Sequence, residues 1–351
     1  MKKIFINKRE ISDNRPPLVI GEISANHSGS LQKVLRLIEI AADIGLEAIK
    51  IQTFKPEEMT LNFNKREFLI KDTFNNNSWN NRTLFSIYKE AYLPFEWHEE
   101  IFQKARSLGL IAFSSVFDSE SLLFLNKLKV PAFKIASLES QHFPLIEKVI
   151  KSNKPIIIST GTLALKEIVD LNNFFIKKNF FNYAILHCVT EYPAKYKNLN
   201  LKTITTLKKK INAIIGFSDH TKDYSAAISA VSLGANIIEK HFKESKKDKT
   251  LDANFSLDPV EMKKFITDCK NTWESLGMTK TVPSKDEKKY IKFRRSIYAC
   301  RDIKVGDKIS LENVKIIRPN RGLPPKQLKK ILGKKVKKNV KFASPITNKI
   351  F

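Results

Sequence analysis

Along its first 245 residues the chain alternates between two apolar rhythms. Short runs are apolar almost without a break: Leu18–Ile23, Ala48–Thr53, Leu110–Ser115, Ala132–Ser137, Pro155–Ser159, Tyr183–Cys188, Ala213–Phe217 and Asn236–His241. Between them, stretches such as Leu31–Ile44 and Pro94–Leu108 place apolar residues three and four apart, the spacing of an amphipathic helix. Gly45, Gly109 and Gly234 stand where helices should end before the next strand. Strands apolar on both faces and alternating with helices make a parallel sheet covered on both sides. Eight such units predict a closed (β/α)8 TIM barrel of the α/β class. A doubly wound open sheet is the alternative, but no Gly-x-Gly-x-x-Gly follows the first strand.

Two stretches break the rhythm. Lys55 to Leu93 is too long and too polar for an ordinary barrel loop, and includes the run Asn75-Asn76-Asn77-Ser78-Trp79-Asn80-Asn81. It is expected to wrap the barrel mouth or to form an inserted helix. After Trp273 the pattern changes, so the barrel is assigned to 1–276, a polar linker to 277–290 and a small β-rich domain to 291–351.

Composition narrows the class. Hydrophobic residues at 42% suffice for a sizeable core, and only 11 glycines argue against a low-complexity chain. No apolar run reaches the roughly 18 residues that a membrane helix needs. Met1-Lys2-Lys3 followed by Ile4-Phe5-Ile6 is too briefly apolar for a signal peptide. Cys188, Cys269 and Cys300 are too scattered for a disulfide framework, so a reduced, cytoplasmic setting is expected. The net charge is +26, and residues 285–351 carry 21 Lys/Arg against 5 Asp/Glu. A nucleic-acid surface would need aromatic residues interleaved with that charge, which the tail lacks. The charge is read as solvated surface that helps gather an anionic substrate.

Barrel enzymes carry their chemistry at the C-terminal ends of their strands, where the loops converge. Here those ends hold Glu22, Lys50, Ser115, Lys134, Ser137, Glu139, Ser159, Ser218, His220, Glu239 and His241. Lysines inside apolar strands are costly unless paired or used, and with the serines they suggest a cradle for phosphate and carboxylate. His220 and His241 end neighbouring strands and could share a divalent metal such as Mn²⁺, Fe²⁺ or Zn²⁺, with His187 behind them. Glu22 and Glu139 are candidate acid–base groups or ion-pair partners. A Schiff-base aldolase working through Lys134 is a rival reading.

These motifs, in this order, resemble the sialic acid synthase family: Gly21–His27, Ile49–Thr53, Phe133–Glu139, Ser159–Gly161, Phe217–His220 and Ile238–Phe242. The tail, from Arg295–Ala299 through Arg318-Pro319 to Leu332-Gly333-Lys334, is similar to that family's antifreeze-like (SAF) domain. Trp79 through Phe102, with Tyr88, Ala91, Pro94 and Glu96-Trp97-His98, and Phe255–Asp258 match the pseudaminic branch most closely. N-acetylneuraminic and legionaminic acid synthases are the alternatives within the family. Val116 replaces a usual proline, and Thr190 an asparagine found in sialic acid synthases.

The resemblance implies condensation of phosphoenolpyruvate with a diacetamido sugar. Lys50, Ser115, Lys134, Ser137, Ser159, Thr190 and Ser218 would hold phosphoenolpyruvate, and Tyr192, Glu239, Asp252 and Arg318 the sugar. Glu22 and Glu139 would be catalytic, and His220 and His241 would bind Mn²⁺, with Mg²⁺ or Co²⁺ as substitutes. It further implies a homodimer whose SAF domains swap across to cover the partner's barrel mouth.

Overall fold

The computed structural model describes residues 2–71 and 79–351. It divides into two compact units, Met1–Gly277 and Met278–Phe351. In the first, strands β1 (Lys3–Ile6) and β2 (Arg9–Ser12) form an antiparallel hairpin. Eight parallel strands then close a barrel: β3 (Leu18–Glu22), β4 (Ala48–Thr53), β5 (Ile111–Val116), β6 (Phe133–Ile135), β7 (Ile156–Ser159), β8 (Tyr183–Cys188), β9 (Ile214–Asp219) and β10 (Ile237–His241). The eight runs read from the sequence match these strands within one or two residues. The fourth ends two residues early, because Ser137–Glu139 turns into a 3-10 helix.

The helices begin and end where local chemistry dictates. Ser30 caps Leu31–Asp43 by accepting from Lys33 N, and Asp118 and Asp258 form capping boxes on Ser119–Lys127 and Pro259–Leu276. Gly45, Gly109 and Gly234 all take positive φ after their helices, as expected of residues without a Cβ. The outer faces of the strands and the inner faces of the helices form one large core.

Inside the barrel the side chains follow the two-residue period of a strand. The lower interior is apolar: Leu18, Ile20, Ala48, Phe113, Ile157, Ala184, Leu186, Ile214 and Ile237 pack together. Gly216 belongs to this inward series, and a Cβ there would lie 2.5 Å from both Ile237 O and Leu186 Cδ2. One pleat higher the same inward positions become Glu22, Lys50, Ser115, Lys134, Ser159, Cys188, Ser218 and Glu239. The barrel is thus sealed below and polar above.

The hairpin, which the sequence pattern did not suggest, completes the seal. Ile4, Ile6 and Ile11 join the lower interior cluster. In the insertion, Pro56–Met59 and Leu84–Ala91 are helical, and Trp79, Leu84 and Ala91 pack around Ala25, Ile70, Ile87 and Leu251. Part of the asparagine-rich run, up to Ser78, lies outside the described residues.

The second unit holds β11 (Ser296–Ala299) and β12 (Val314–Ile317) as an antiparallel pair around a small aliphatic core. Residues 278–290, expected as a linker, group with this unit and carry a one-turn helix, Lys285–Lys288, capped by Ser284. Among the described residues no helix is long and apolar enough to cross a membrane.

If the hairpin is a plug, Ile6→Ala should cost about 2–5 kcal/mol, the usual loss for a large buried aliphatic side chain. A urea midpoint would report it, with the polar upper interior undisturbed because Ile6 belongs to the lower cluster. An unchanged midpoint would show that the hairpin is ornamental.

Candidate active site

The polar upper interior opens into a cavity of about 400 Å³. Its floor is built from strand ends. Lys50 and Lys134, on β4 and β6, are almost fully buried, and Glu239 on β10 lies between them, 3.9 Å from each ammonium. Glu22 lies 2.5 Å from Lys50 on the adjacent strand, and Ser115 accepts from Lys50 at 3.1 Å. Ser218 donates to Glu239 at 3.0 Å.

The charges answer one another. Burial works against the Lys50 ammonium, but Glu22 and Glu239 outweigh it and raise its pKa. Lys134 has no such close partner, and burial lowers its pKa. Burial alone would raise the Glu239 carboxyl, yet Lys134 and Lys50 hold it at about 2. The floor therefore matches two ammonium groups with two carboxylates, but holds Lys134 more loosely than Lys50.

Hydroxyls face the same space. Ser159 Oγ and Thr190 Oγ1 are buried without a hydrogen-bond partner among the described residues. Such groups are costly unless a ligand or water meets them. Ser137 Oγ accepts from Gly161 N at 3.0 Å, and a Cβ on Gly161 would come within 2.1 Å of Thr190 Oγ1. The glycine in Ser159-Thr160-Gly161 is thus required by the crowding of hydroxyls around it.

One wall carries the imidazoles. His220 and His241 follow β9 and end β10, with ring centroids 5.5 Å apart. His220 Nδ1 lies 3.0 Å from Val189 O, and His241 Nδ1 faces Asp252 Oδ2 at 3.5 Å. Those partners leave each Nε2 as the free lone pair. Burial and the neighbouring His241 lower the His220 pKa to about 3, so this ring is neutral, as a metal ligand must be. Among the described residues no group of three or more His, Cys, Asp or Glu side chains converges as a cage. The donor set fits an ion held by two imidazoles, with its other positions left to substrate oxygens.

A second wall is apolar and comes largely from the insertion. Phe54 makes edge contacts with Tyr88 and Phe117, with centroids 5.7 Å and 5.4 Å away. Trp79 lies 5.4 Å from Tyr192, which in turn lies 4.3 Å from His220. A larger groove of about 680 Å³ elsewhere on the barrel includes Phe5, Arg9 and Glu47, but its Arg9 and Glu47 are already paired at 2.7 Å.

The expected site residues divide accordingly. Lys50, Ser115, Lys134, Ser137, Ser159, Thr190, Ser218, His220, His241, Tyr192 and Glu139 all line the cavity. Glu22 does not. It is fully buried against Lys50 and Gln52, the placement of a counter-ion. Glu239, expected at the sugar, also lines the cavity, where it lies between the two lysines one pleat below His241. Asp252, also expected there, lines the cavity but turns to His241 and to Ala25 N at 3.2 Å. His187 faces outward, 2.6 Å from Leu199 O, and does not reach the imidazole pair. Arg318 directly follows β12 in the second unit.

Sequence reasoning left out Gln52, Cys188 and Phe255. Gln52 donates to both Glu22 and Ser24, and Phe255 packs 4.8 Å from His241. Cys188 was legible in principle, since it continues the inward series Ala184, Leu186, Cys188.

Glu139 lies at the cavity rim with its pKa raised by burial, against the opposing pull of a backbone hydrogen bond and Lys134. It titrates nearer neutrality than an ordinary carboxyl, so activity that needs its charged form should rise with pH through an acidic limb. Glu139→Gln should remove that limb and lower kcat by about 10²–10⁴. A mutant that kept the limb would refute the role. For Glu22→Gln, breaking a buried pair predicts about 3–5 kcal/mol of lost stability, read as a urea midpoint. Full stability with lost turnover would restore Glu22 as the base.

With this geometry in view, comparison with known proteins is informative. A model described as the NeuB family matches residues 37–281, and one for the SAF domain matches 294–349. A Campylobacter jejuni pseudaminic acid synthase is 39% identical over 93% of this chain and 94% of its own length. An N,N'-diacetyllegionaminic acid synthase from the same species is 36% identical over 92% and 97%. The crystal structure of an N-acetylneuraminic acid synthetase from Leptospira borgpetersenii, solved with citrate, superposes with a TM-score of 0.73 at 30% identity, covering 83% of this chain and 95% of that one. Barrel, SAF unit and relatives agree over nearly the whole length, and the chain belongs to the NeuB family.

Proposed function

We propose that the barrel condenses phosphoenolpyruvate with 2,4-diacetamido-2,4,6-trideoxy-altrose and water, giving pseudaminic acid and phosphate. The observation that carries this reading is the floor: two buried lysines and two hydroxyls without a partner among the described residues, beneath an apolar wall. An anion with phosphate and carboxylate fits the floor, and a deoxy, acetamido sugar fits the wall. The 39% identical pseudaminic acid synthase supports that sugar over its relatives.

In the reaction, the methylene carbon of phosphoenolpyruvate bonds to the aldehyde carbon of the open-chain sugar, whose oxygen takes a proton. Water adds at the phosphate-bearing carbon, and that carbon's bond to the phosphate oxygen breaks. Lys50 and Lys134 orient the anion and balance the charge that grows on the departing phosphate. Ser115, Ser137, Ser159 and Thr190 donate hydrogen bonds to its oxygens, while Ser218 keeps its proton on Glu239. Glu139 takes the proton from the attacking water. Tyr192 and Trp79 fix the sugar by ring contact. A divalent ion, Mn²⁺ in this reading and held by His220 and His241, supplies Lewis-acid polarisation of the aldehyde oxygen when bound.

Phosphate release measured with three sugars tests the assignment. The altro-configured diacetamido sugar should give the highest kcat/KM. N-acetylmannosamine should be poor, because its extra hydroxyl would be buried without a partner against the apolar wall. If the manno-configured diacetamido isomer is preferred, the chain is a legionaminic acid synthase with the same chemistry.

The SAF unit is further proposed to serve the barrel of a partner in a homodimer, bringing Arg318 to the sugar. Mixing inactive Arg318→Ala with inactive His241→Ala protomers should restore activity, since one mouth in each mixed dimer has both groups. No recovery after confirmed subunit exchange would assign each SAF unit to its own barrel.

A further inference from the structure

Behind the imidazole wall lies a charged pair that the reaction does not use. Asp219 and Lys240 point out of the barrel into the core between strands and helices, and both side chains are 0% exposed. They are direct partners in the register of β9 and β10, with Lys240 Nζ 3.3 Å from Asp219 Oδ2. Each immediately precedes a histidine, His220 in one strand and His241 in the other.

The contacts extend to both sides of His220. Asp219 Oδ1 accepts from Thr221 N at 2.8 Å, and Lys240 Nζ donates to Thr221 O. Residues 219 and 221 are therefore both tied to one ammonium, whose own chain neighbour is His241. A buried ion pair costs desolvation and seldom stabilises a fold more than a well-packed apolar pair does. What it does supply is direction, because charge-assisted contacts fix the backbone on which they sit.

We infer that Asp219 and Lys240 are positioning residues that set the separation and aim of His220 and His241, and so the site's affinity for a divalent ion. The inference rests on the two-histidine reading above. It assigns the pair no contact with substrate. Groups that orient metal ligands from behind typically change metal affinity by about 10–100-fold when removed.

The test uses the full-length protein, stripped by chelator and titrated with Co²⁺ while its visible absorption is followed. The double variant Asp219→Asn, Lys240→Met removes both charges and keeps an acceptor for Thr221 N–H. Its thermal midpoint should stay near that of the wild type, and its phosphoenolpyruvate affinity in chelator should be unchanged. Its Co²⁺ dissociation constant should rise about 10–100-fold. Asp219→Asn alone reads the same quantity should the double variant not fold. Unchanged Co²⁺ affinity with a lowered midpoint would make the pair purely structural and overturn the inference. A wild type that shows no Co²⁺ spectrum, or one that survives His241→Ala, would sink the two-histidine reading itself, and this inference with it.

Discussion

Two ammonium groups held inside an apolar barrel are the constraint on which the rest of this structure depends. Neither Lys50 nor Lys134 could remain there alone, because an isolated buried charge is far too costly. Glu22 and Glu239 offset that cost incompletely: Lys50 has a carboxylate at 2.5 Å, whereas Lys134 has none nearer than 3.9 Å. The looser pairing leaves the Lys134 ammonium open to an incoming anion. It also explains why the serines cluster there, and why the lower barrel must be dry. Water rising from below would screen the charges on which the floor relies. The β1–β2 hairpin, with Ile4, Ile6 and Ile11 in the lower cluster, is the structural answer.

The site divides its work by strand. The floor residues come mainly from β3 to β9, while the imidazoles stand at the ends of β9 and β10. The apolar wall comes from outside the strands, chiefly from the insertion after β4. Such a division lets the wall vary with the sugar while the floor stays fixed. It fits relatives that are pseudaminic, N,N'-diacetyllegionaminic and N-acetylneuraminic acid synthases, which differ in the sugar acid.

Much of this was legible in the sequence because strands obey a period of two and barrels face their chemistry one way. The inward series Ile20, Glu22 and Ile237, Glu239, His241 can be read without coordinates. Which carboxylate meets which lysine cannot, since that follows from register. Glu22 is aligned with Lys50 across β3 and β4, the placement of a counter-ion. Glu239 lies one pleat below His241 and so reaches both lysines from the cavity floor. The hairpin escaped notice because four-residue strands give too little periodicity to separate them from a loop. Asp219 and Lys240 alternate with the site residues along their strands, and their parity sends them to the opposite face.

Whether the floor is an anion cradle can be asked directly by calorimetry with phosphoenolpyruvate. Lys134→Met keeps the length of the side chain and removes the less neutralised charge. Loss of one hydrogen bond to a charged group, about 1.5–3 kcal/mol, predicts a Kd roughly ten- to a hundredfold weaker with the fold intact. Unchanged affinity for phosphoenolpyruvate in a folded Lys134→Met protein would contradict the account.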